Sequence, residues 1–324
     1  MGGEDIDFPN GIAGAGATTA GEFRAGYARC GLQTSGLTGL MKSNVFPGGA
    51  VTSAWLSCRS FETNNSFTVP LLMIGFGLSG TNKGLFLGLS TTTPCKITLY
   101  KYDGTTITSL ASESGTSFTS ATLNKLDMQV ISYGASATVN IYLNTTFLFS
   151  FTGNVAVTGM TSFDSVFISE PGATGQSCHS EIIVADEDTR SFSLMTMAPI
   201  SAGTTDAWTG LFSAVNPITI NDANSVFTNT TGLDEQFNMT ALPAGSFAVR
   251  EVKVNARMSA TAGSTATHVA TGFNLSGTVS VGTPFGPLGT AFVDEESYYA
   301  NNPVTSAAWT TTQLSTIQVD LRSS

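Results

Sequence analysis

Charge is what this sequence has least of. Asp, Glu, Lys and Arg make up 11% of its 324 residues, against roughly 25% in an average soluble protein, and it has only two histidines. That scarcity argues against the dense ionisable constellations on which most active sites are built. Long hydrophobic runs are missing as well. The longest, around Val69 to Leu78, is broken by Pro70, Gly75 and Gly77 and falls short of the roughly 18 residues of a membrane-spanning helix. The 13 basic residues are outnumbered by 23 acidic ones, for a net charge of −10. They form no basic stripe laced with aromatics, so neither nucleic acid nor an anionic membrane is an expected partner. Four cysteines, Cys30, Cys58, Cys95 and Cys178, have no CxxC or zinc-finger spacing, and reduced, buried thiols are expected. No HExxH, GxSxG or phosphate-loop motif occurs. The acidic opening Met1–Asp7 lacks the basic and apolar regions of a signal peptide, which points to synthesis and folding in the cytoplasm.

What is present in quantity is glycine, 34 residues of it, together with Ser, Thr and alternating apolar residues. No segment carries a strong helical stripe, so an all-β protein is predicted. The length suits two domains, each able to bury its own core. Residues 1–25, with Gly11, Gly14, Gly16 and Gly21 among Ala and Thr, read as a flexible arm. From about 45 to 185 strand follows strand. Lys96–Tyr102 alternates, turns at Asp103-Gly104 and returns through Thr106–Leu110, a strong hairpin signal. Val139, Ile141 and Leu143 point one way. Phe147, Phe149 and Phe151 follow a turn at Asn144-Thr145 and are expected to line one core face. Ser165–Ser169 and Glu181–Ala185 add further strands, and such spacing of short strands and turns predicts a sandwich. A break at Met197–Gly203 opens a second β-rich region. Its expected strands include Ser246–Val249 and Glu251–Met258, with a phase flip at Arg250-Glu251 that suggests a bulge, and Thr316–Arg322.

Candidate chemistry is sparse. Asp186-Glu187-Asp188 could offer oxygens to Ca²⁺, but it lacks EF-hand spacing and reads as a solvated turn between strands 181–185 and 192–196. Asp294-Glu295-Glu296 reads as a loop before Tyr298. His179 lies between Cys178 and Ser180, and adjacent strand residues face opposite ways, which argues against a Cys/His nucleophile pair. His268 has no acidic neighbour in sequence. Tyr100, Tyr102, Tyr298 and Tyr299 are the candidates for stacking on sugar rings. Tyr100 and Tyr102 share one strand phase. Their alternative role is to cover a sheet face or a subunit contact. Trp55, Trp208 and Trp309 are expected as core anchors or interface plugs.

Two sets of segments carry a resemblance. One is Ser180-Glu181-Ile182-Ile183-Val184-Ala185-Asp186-Glu187-Asp188-Thr189-Arg190, with Met197-Ala198-Pro199 and Ala207-Trp208-Thr209-Gly210. The other is Asn302–Thr310, with Pro303, Thr305 and Trp309-Thr310 in a P-x-T-x-x-x-W-T pattern, ending in Leu314–Val319. Together they resemble the β-sandwich virion proteins of tailed bacteriophages, described as tail or tail-fibre proteins. The resemblance covers about residues 45–324. It departs at Asp320, where that family usually has Gly.

The resemblance implies a concanavalin/laminin-G-like jelly roll over 26–200, a C-terminal β-sandwich over 201–324 whose P-x-T-x-x-x-W-T segment is a strand followed by a short Leu-containing turn, and no active site, cofactor or metal. A structural virion protein is thus the leading expectation: a tail-fibre or tail-tip component aiding host adsorption, assembled in the bacterial cytoplasm. Its implied partners are other virion proteins and copies of itself, commonly as a trimer. A capsid-decorating head spike would read similarly. Two further readings stay open: a module binding a host surface glycan, and a polysaccharide depolymerase, which would need facing acidic residues in a groove.

Overall fold

Period-two patterning leaves this chain one way to bury its apolar residues: sheets packed face to face. The computed structural model describes residues 32–33, 40–43, 45–46, 48–62, 64, 66–169, 177–215, 223–242, 245 and 247–324. The expected arm, Cys30 and the Cys178 side chain lie outside the described residues. The chain divides into two compact units, Met1–Leu194 and Met195–Ser324.

The first unit carries β1 (Leu32–Gln33), β2 (Leu40–Lys42), β3 (Ala54–Glu62), β4 (Leu71–Gly77), β5 (Gly84–Leu89), β6 (Ile97–Tyr102), β7 (Ile107–Ser112), β8 (Asn124–Ile131), β9 (Ala137–Leu143), β10 (Thr146–Gly153), β11 (Ser165–Ser169) and β12 (Ser177–Ala185). They form two six-stranded sheets, β1-β12-β3-β8-β9-β10 and β2-β11-β4-β5-β6-β7, antiparallel throughout. This is a β-sandwich of the jelly-roll kind. Leu56, Cys58, Leu126, Met128, Val139 and Ile141 from the first sheet meet Met73, Phe76, Leu85, Leu87, Leu99 and Ile168 from the second in one continuous core. Glycine permits close strand approach on the second sheet, where a Cβ on Gly75 would run into the Leu85 carbonyl oxygen. The 103–104 hairpin forms as the sequence predicts. The Asp103 carboxylate accepts the N–H groups of Thr105 (2.9 Å) and Thr106 (2.7 Å), and Gly104 supplies a φ of 101°. Cys58 and Cys95 are free and buried.

The second unit carries β13 (Pro199–Asp206), β14 (Asp234–Met239), β15 (Val252–Met258), β16 (Val269–Leu275), β17 (Thr278–Val281), β18 (Val293–Tyr299), one four-residue helix, α1 (Thr311–Leu314), and β19 (Gln318–Ser323). A five-stranded sheet, β13-β14-β19-β16-β17, accompanies a two-stranded one, β15-β18. Phe273 of the larger sheet, Val254 of the smaller, Trp309, Leu314 and Ile317 build the core between them. The opposite face of the larger sheet is held by amides: Gln236 Nε2 donates to Asp320 Oδ1 (2.8 Å), Asn274 Nδ2 to Gln236 Oε1 (3.0 Å) and Gln318 Nε2 to Asn238 Oδ1 (2.9 Å). Asp320, the departure from the resembled family, is fully buried in this grid. Among the described residues no helix is long and apolar enough to cross a membrane.

Several expectations need correcting. Residues 247–250 are not strand; pairing starts at Val252, because register with β18 begins at Val252↔Tyr299, so there is no bulge at Arg250-Glu251. Asp294–Glu296 lies within β18 rather than a loop. Residues 192–196 are not a strand either. The Pro303–Thr310 stretch is a turn leading into α1, capped reciprocally by Thr310 and Gln313, and Trp309 anchors it by donating Nε1–H to the Tyr299 carbonyl at 2.8 Å.

Candidate functional site

Alternation along β3, β8 and β9 sends Leu56, Leu126, Met128, Val139 and Ile141 inward and leaves Trp55, Ser57, Lys125, Asp127, Gln129, Asn140 and Tyr142 on the outer face. Register then places them in rows. One row reads Trp55, Gln129, Asn140 and Ser150; the next reads Ser57, Asp127, Tyr142 and Phe147. The Phe147 position corrects the sequence reading. A bulge between Phe147 and Phe149 inserts one residue and breaks the phenylalanine ladder. Phe149 and Phe151 pack on the core, while Phe147 is 55% exposed.

Three aromatic rings consequently run across the face. Trp55 and Tyr142 stack with centroids 5.5 Å apart at 25°, and Phe147 meets Tyr142 edge-on at 5.7 Å. The Arg190 guanidinium lies 4.6 Å from the Tyr142 centroid and 5.8 Å from that of Trp55, so Trp55 is covered, whereas Tyr142 and Arg190 are half-buried. Beside the rings, Asn140 Nδ2 donates to Gln129 Oε1 at 2.8 Å, leaving the outer lone pair of each amide oxygen and the remaining amide protons for another partner.

Arg190 is fixed from two sides. Its Nε and Nη2 donate to the two oxygens of Asp188 at 2.9 and 2.5 Å. The bidentate pair holds the Asp188 carboxyl below the ordinary carboxylate range. The segment itself is pinned from beneath. Lys125 Nζ donates to the carbonyls of Thr189 (2.9 Å), Arg190 (2.8 Å) and Phe192 (2.8 Å), which uses all three ammonium protons. Thr189 Oγ1 donates to Asp127 Oδ1 at 3.0 Å, and Lys125 lies 3.9 Å from the same oxygen. Burial pushes the Asp127 carboxyl up and the Lys125 ammonium down, each opposed by the charge of the other. Segment 192–196 is therefore not a strand because its start is spent as ligand to a buried cation. Glu181, turned by a φ of 50° at the β12 irregularity, forms an ion pair with Arg59, whose Nε lies 2.8 Å from Oε1, and accepts the Leu194 N–H at 3.2 Å.

The four tyrosines expected to stack on sugars lie elsewhere. Tyr100 and Tyr102 do share a side, with Leu72, Phe86 and Phe167 on the outer face of the other sheet. Tyr100, however, is only 3% exposed and donates its hydroxyl to the Leu89 carbonyl at 3.2 Å, so its ring face is closed to a ligand. Tyr102 is half-buried and donates to the Gly104 carbonyl at 2.8 Å. In the second unit, Tyr298 contacts Glu296 and lies 5.9 Å from Lys253. Tyr299 packs edge-on to Phe273 at 4.8 Å and donates to the Thr271 carbonyl at 2.9 Å. Of the acidic cluster 186–188, Asp188 serves Arg190, and among the described residues no group of His, Cys, Asp and Glu is arranged to hold a metal. His179 is fully buried, opposite Ser60 in register. Of the residues that do come together, Trp55 was expected as a core anchor or interface plug and Phe147 on a core face, whereas Gln129, Asn140, Tyr142, Asp188 and Arg190 were visible in sequence only as off-phase members of strands and as part of a turn.

No protein-family model and no curated protein matches the chain. Solved structures that it is similar to include a Bacillus subtilis carbohydrate-binding module, CBM66 (10% identity, TM-score 0.37, 53% of this chain and 92% of that one). Others are the alginate lyase Aly36B (14%, 0.36, 55% and 94%) and sheep galectin-11 (9%, 0.32, 46% and 99%). Likenesses this distant carry no argument about ligand or activity. The all-β sandwich class rests on the chain's own sheets.

Proposed function

We propose that this protein binds a glycan, without cleaving it, on the outer face of the β1-β12-β3-β8-β9-β10 sheet. The observation that carries the proposal is the Arg190–Tyr142–Trp55 stack bordered by the Gln129–Asn140 amide pair. Ring faces complement the apolar faces of sugars; the rings open to one here are the half-buried Tyr142 and the exposed Phe147, while the covered Trp55 supports Tyr142 by stacking on it. Amides and an Arg–Asp fork supply donors and acceptors of fixed direction for hydroxyls, and the Lys125 clamp keeps them in place before a ligand arrives, which limits the ordering cost of binding. Cleavage by paired carboxyls asks for a raised, accessible acid. Here the accessible Asp188 is held ionised and the raised Asp127 is buried under Thr189. A glycan array probed with the protein and with Tyr142→Ala tests this: bound sugars in the first case and at least a tenfold weaker signal in the second.

The setting we propose is the virion of a tailed bacteriophage, at a tail fibre or tail tip serving host adsorption, with a head spike as the alternative position. Its support is the resemblance of segments 180–190, 197–199, 207–210 and 302–319, and the low charge that suits a subunit surrounded by other subunits. Electron cryo-microscopy of the particle that contains this chain would place it at the tail, at the capsid, or in neither.

A further inference from the structure

From Met128 to Phe163 the sequence contains no Asp, Glu, Lys, Arg or His. In the fold this run forms the second half of β8, all of β9 and β10, and the loops between them, so it makes up the margin of a sheet. β10 is the last strand of that sheet, and among the described residues it pairs with β9 alone. Its other backbone edge presents unpaired N–H and C=O groups, which soluble proteins ordinarily guard with charge, proline or a bulge. β10 has neither charge nor proline. Its bulge sits near its start, leaving Phe149–Gly153 in regular register with Ile141–Ala137. β7, the margin of the facing sheet on the same side of the sandwich, is Ile-Thr-Ser-Leu-Ala-Ser, also uncharged.

We propose that the β10 edge pairs with the β10 edge of a second copy of this chain, antiparallel and about a twofold axis. The occupant follows from the charge. In a chain of net charge −10, two copies repel wherever acidic surfaces meet, and like charges directly opposed across strands destabilise pairing. A strand that carries no ionisable group, backed by a neighbouring strand that carries none either, can meet its own image without opposing like charges across the new pairing. Depletion of charge at the centre is also the compositional mark of a protein interface. An edge that pairs with itself is isologous and closes with two copies, so the interaction through this margin gives a dimer rather than the trimer that the resemblance implies. Resting on the proposed glycan reading, the dimer would carry two Tyr142–Phe147 platforms on one continuous twelve-stranded face, where two weak sugar contacts would reinforce each other.

The test is the solution mass of the full chain by sedimentation velocity, without any sugar present, so that it reports on pairing independently of glycan binding. Wild type is expected at twice the 33.6 kDa of one chain. Ser150→Lys with Thr152→Lys, two exposed positions on β10, is expected to run as a monomer with an unchanged far-ultraviolet circular dichroism spectrum. The same two lysines placed at Thr261 and Ala262, an exposed turn of the second unit, are expected to leave the dimer intact. A monomeric or trimeric wild type, or a dimer that survives the β10 lysines, overturns the proposal. Should the β10 variant fail to fold, Ser150→Glu alone carries the same test.

Discussion

The Arg190 guanidinium lies 4.6 Å from the centre of the Tyr142 ring, and the two residues come from sequence positions nearly fifty apart. What joins them is a buried lysine. Lys125 on β8 takes three carbonyls from the segment after β12 and so sets Arg190 over a ring on β9.

That clamp has a stability consequence. Lys125→Met should leave three carbonyls and the Asp127 carboxylate without their cation, at about 3–5 kcal/mol, the range for breaking a buried pair by removing one partner. Denaturant unfolding measures the loss, and hydrogen exchange should locate added mobility at residues 188–192. Combining it with Asp127→Asn should recover part of the loss, because the stranded charge goes with it.

His179 makes stability pH-dependent. Both ring nitrogens lack partners among the described residues, and burial pushes its pKa from 6.5 down to about 4. The folded state therefore binds the proton less readily than the unfolded chain. The contribution is complete above pH 6.5, falls as pH drops through the window from 6.5 to 4, and is level below it. The drop amounts to about 3 kcal/mol. Unfolding free energies of wild type and His179→Leu at pH 7.5 and pH 4.5 should differ in slope by most of that amount. Parallel profiles would contradict it.

Gly75 tests the packing of the second sheet. A methyl group there meets the Leu85 carbonyl oxygen and the Phe86 Cα, backbone that cannot step aside. Gly75→Ala should cost about 1–3 kcal/mol in thermal or denaturant unfolding, whereas Gly115→Ala, with open space around it, should cost little.

The parts of this fold legible in the sequence are the local ones. The Asp103-Gly104 hairpin and the inward phase of Val139, Ile141 and Leu143 follow from turn chemistry and alternation, and both are present. The phenylalanine ladder broke at a bulge within the β9–β10 hairpin itself, which alternation of residue types does not mark. The rest of what failed depended on partners distant in sequence: strand pairing begins at Val252 because β18 offers it a partner only from there. The candidate face was illegible for the same reason. Trp55 and Tyr142 are neighbours only because β8 lies between their strands, and Tyr100 had the right strand phase but was buried on the other sheet's outer cluster.

The most direct measurement is titration calorimetry of the best sugar from a bacterial surface-glycan array against wild type and Tyr142→Ala. The account predicts measurable binding by wild type and about tenfold weaker binding, or about 1.4 kcal/mol, by a variant of unchanged unfolding midpoint. Equal affinity in the two proteins, or a strongest sugar that the protein hydrolyses during the titration, would contradict it.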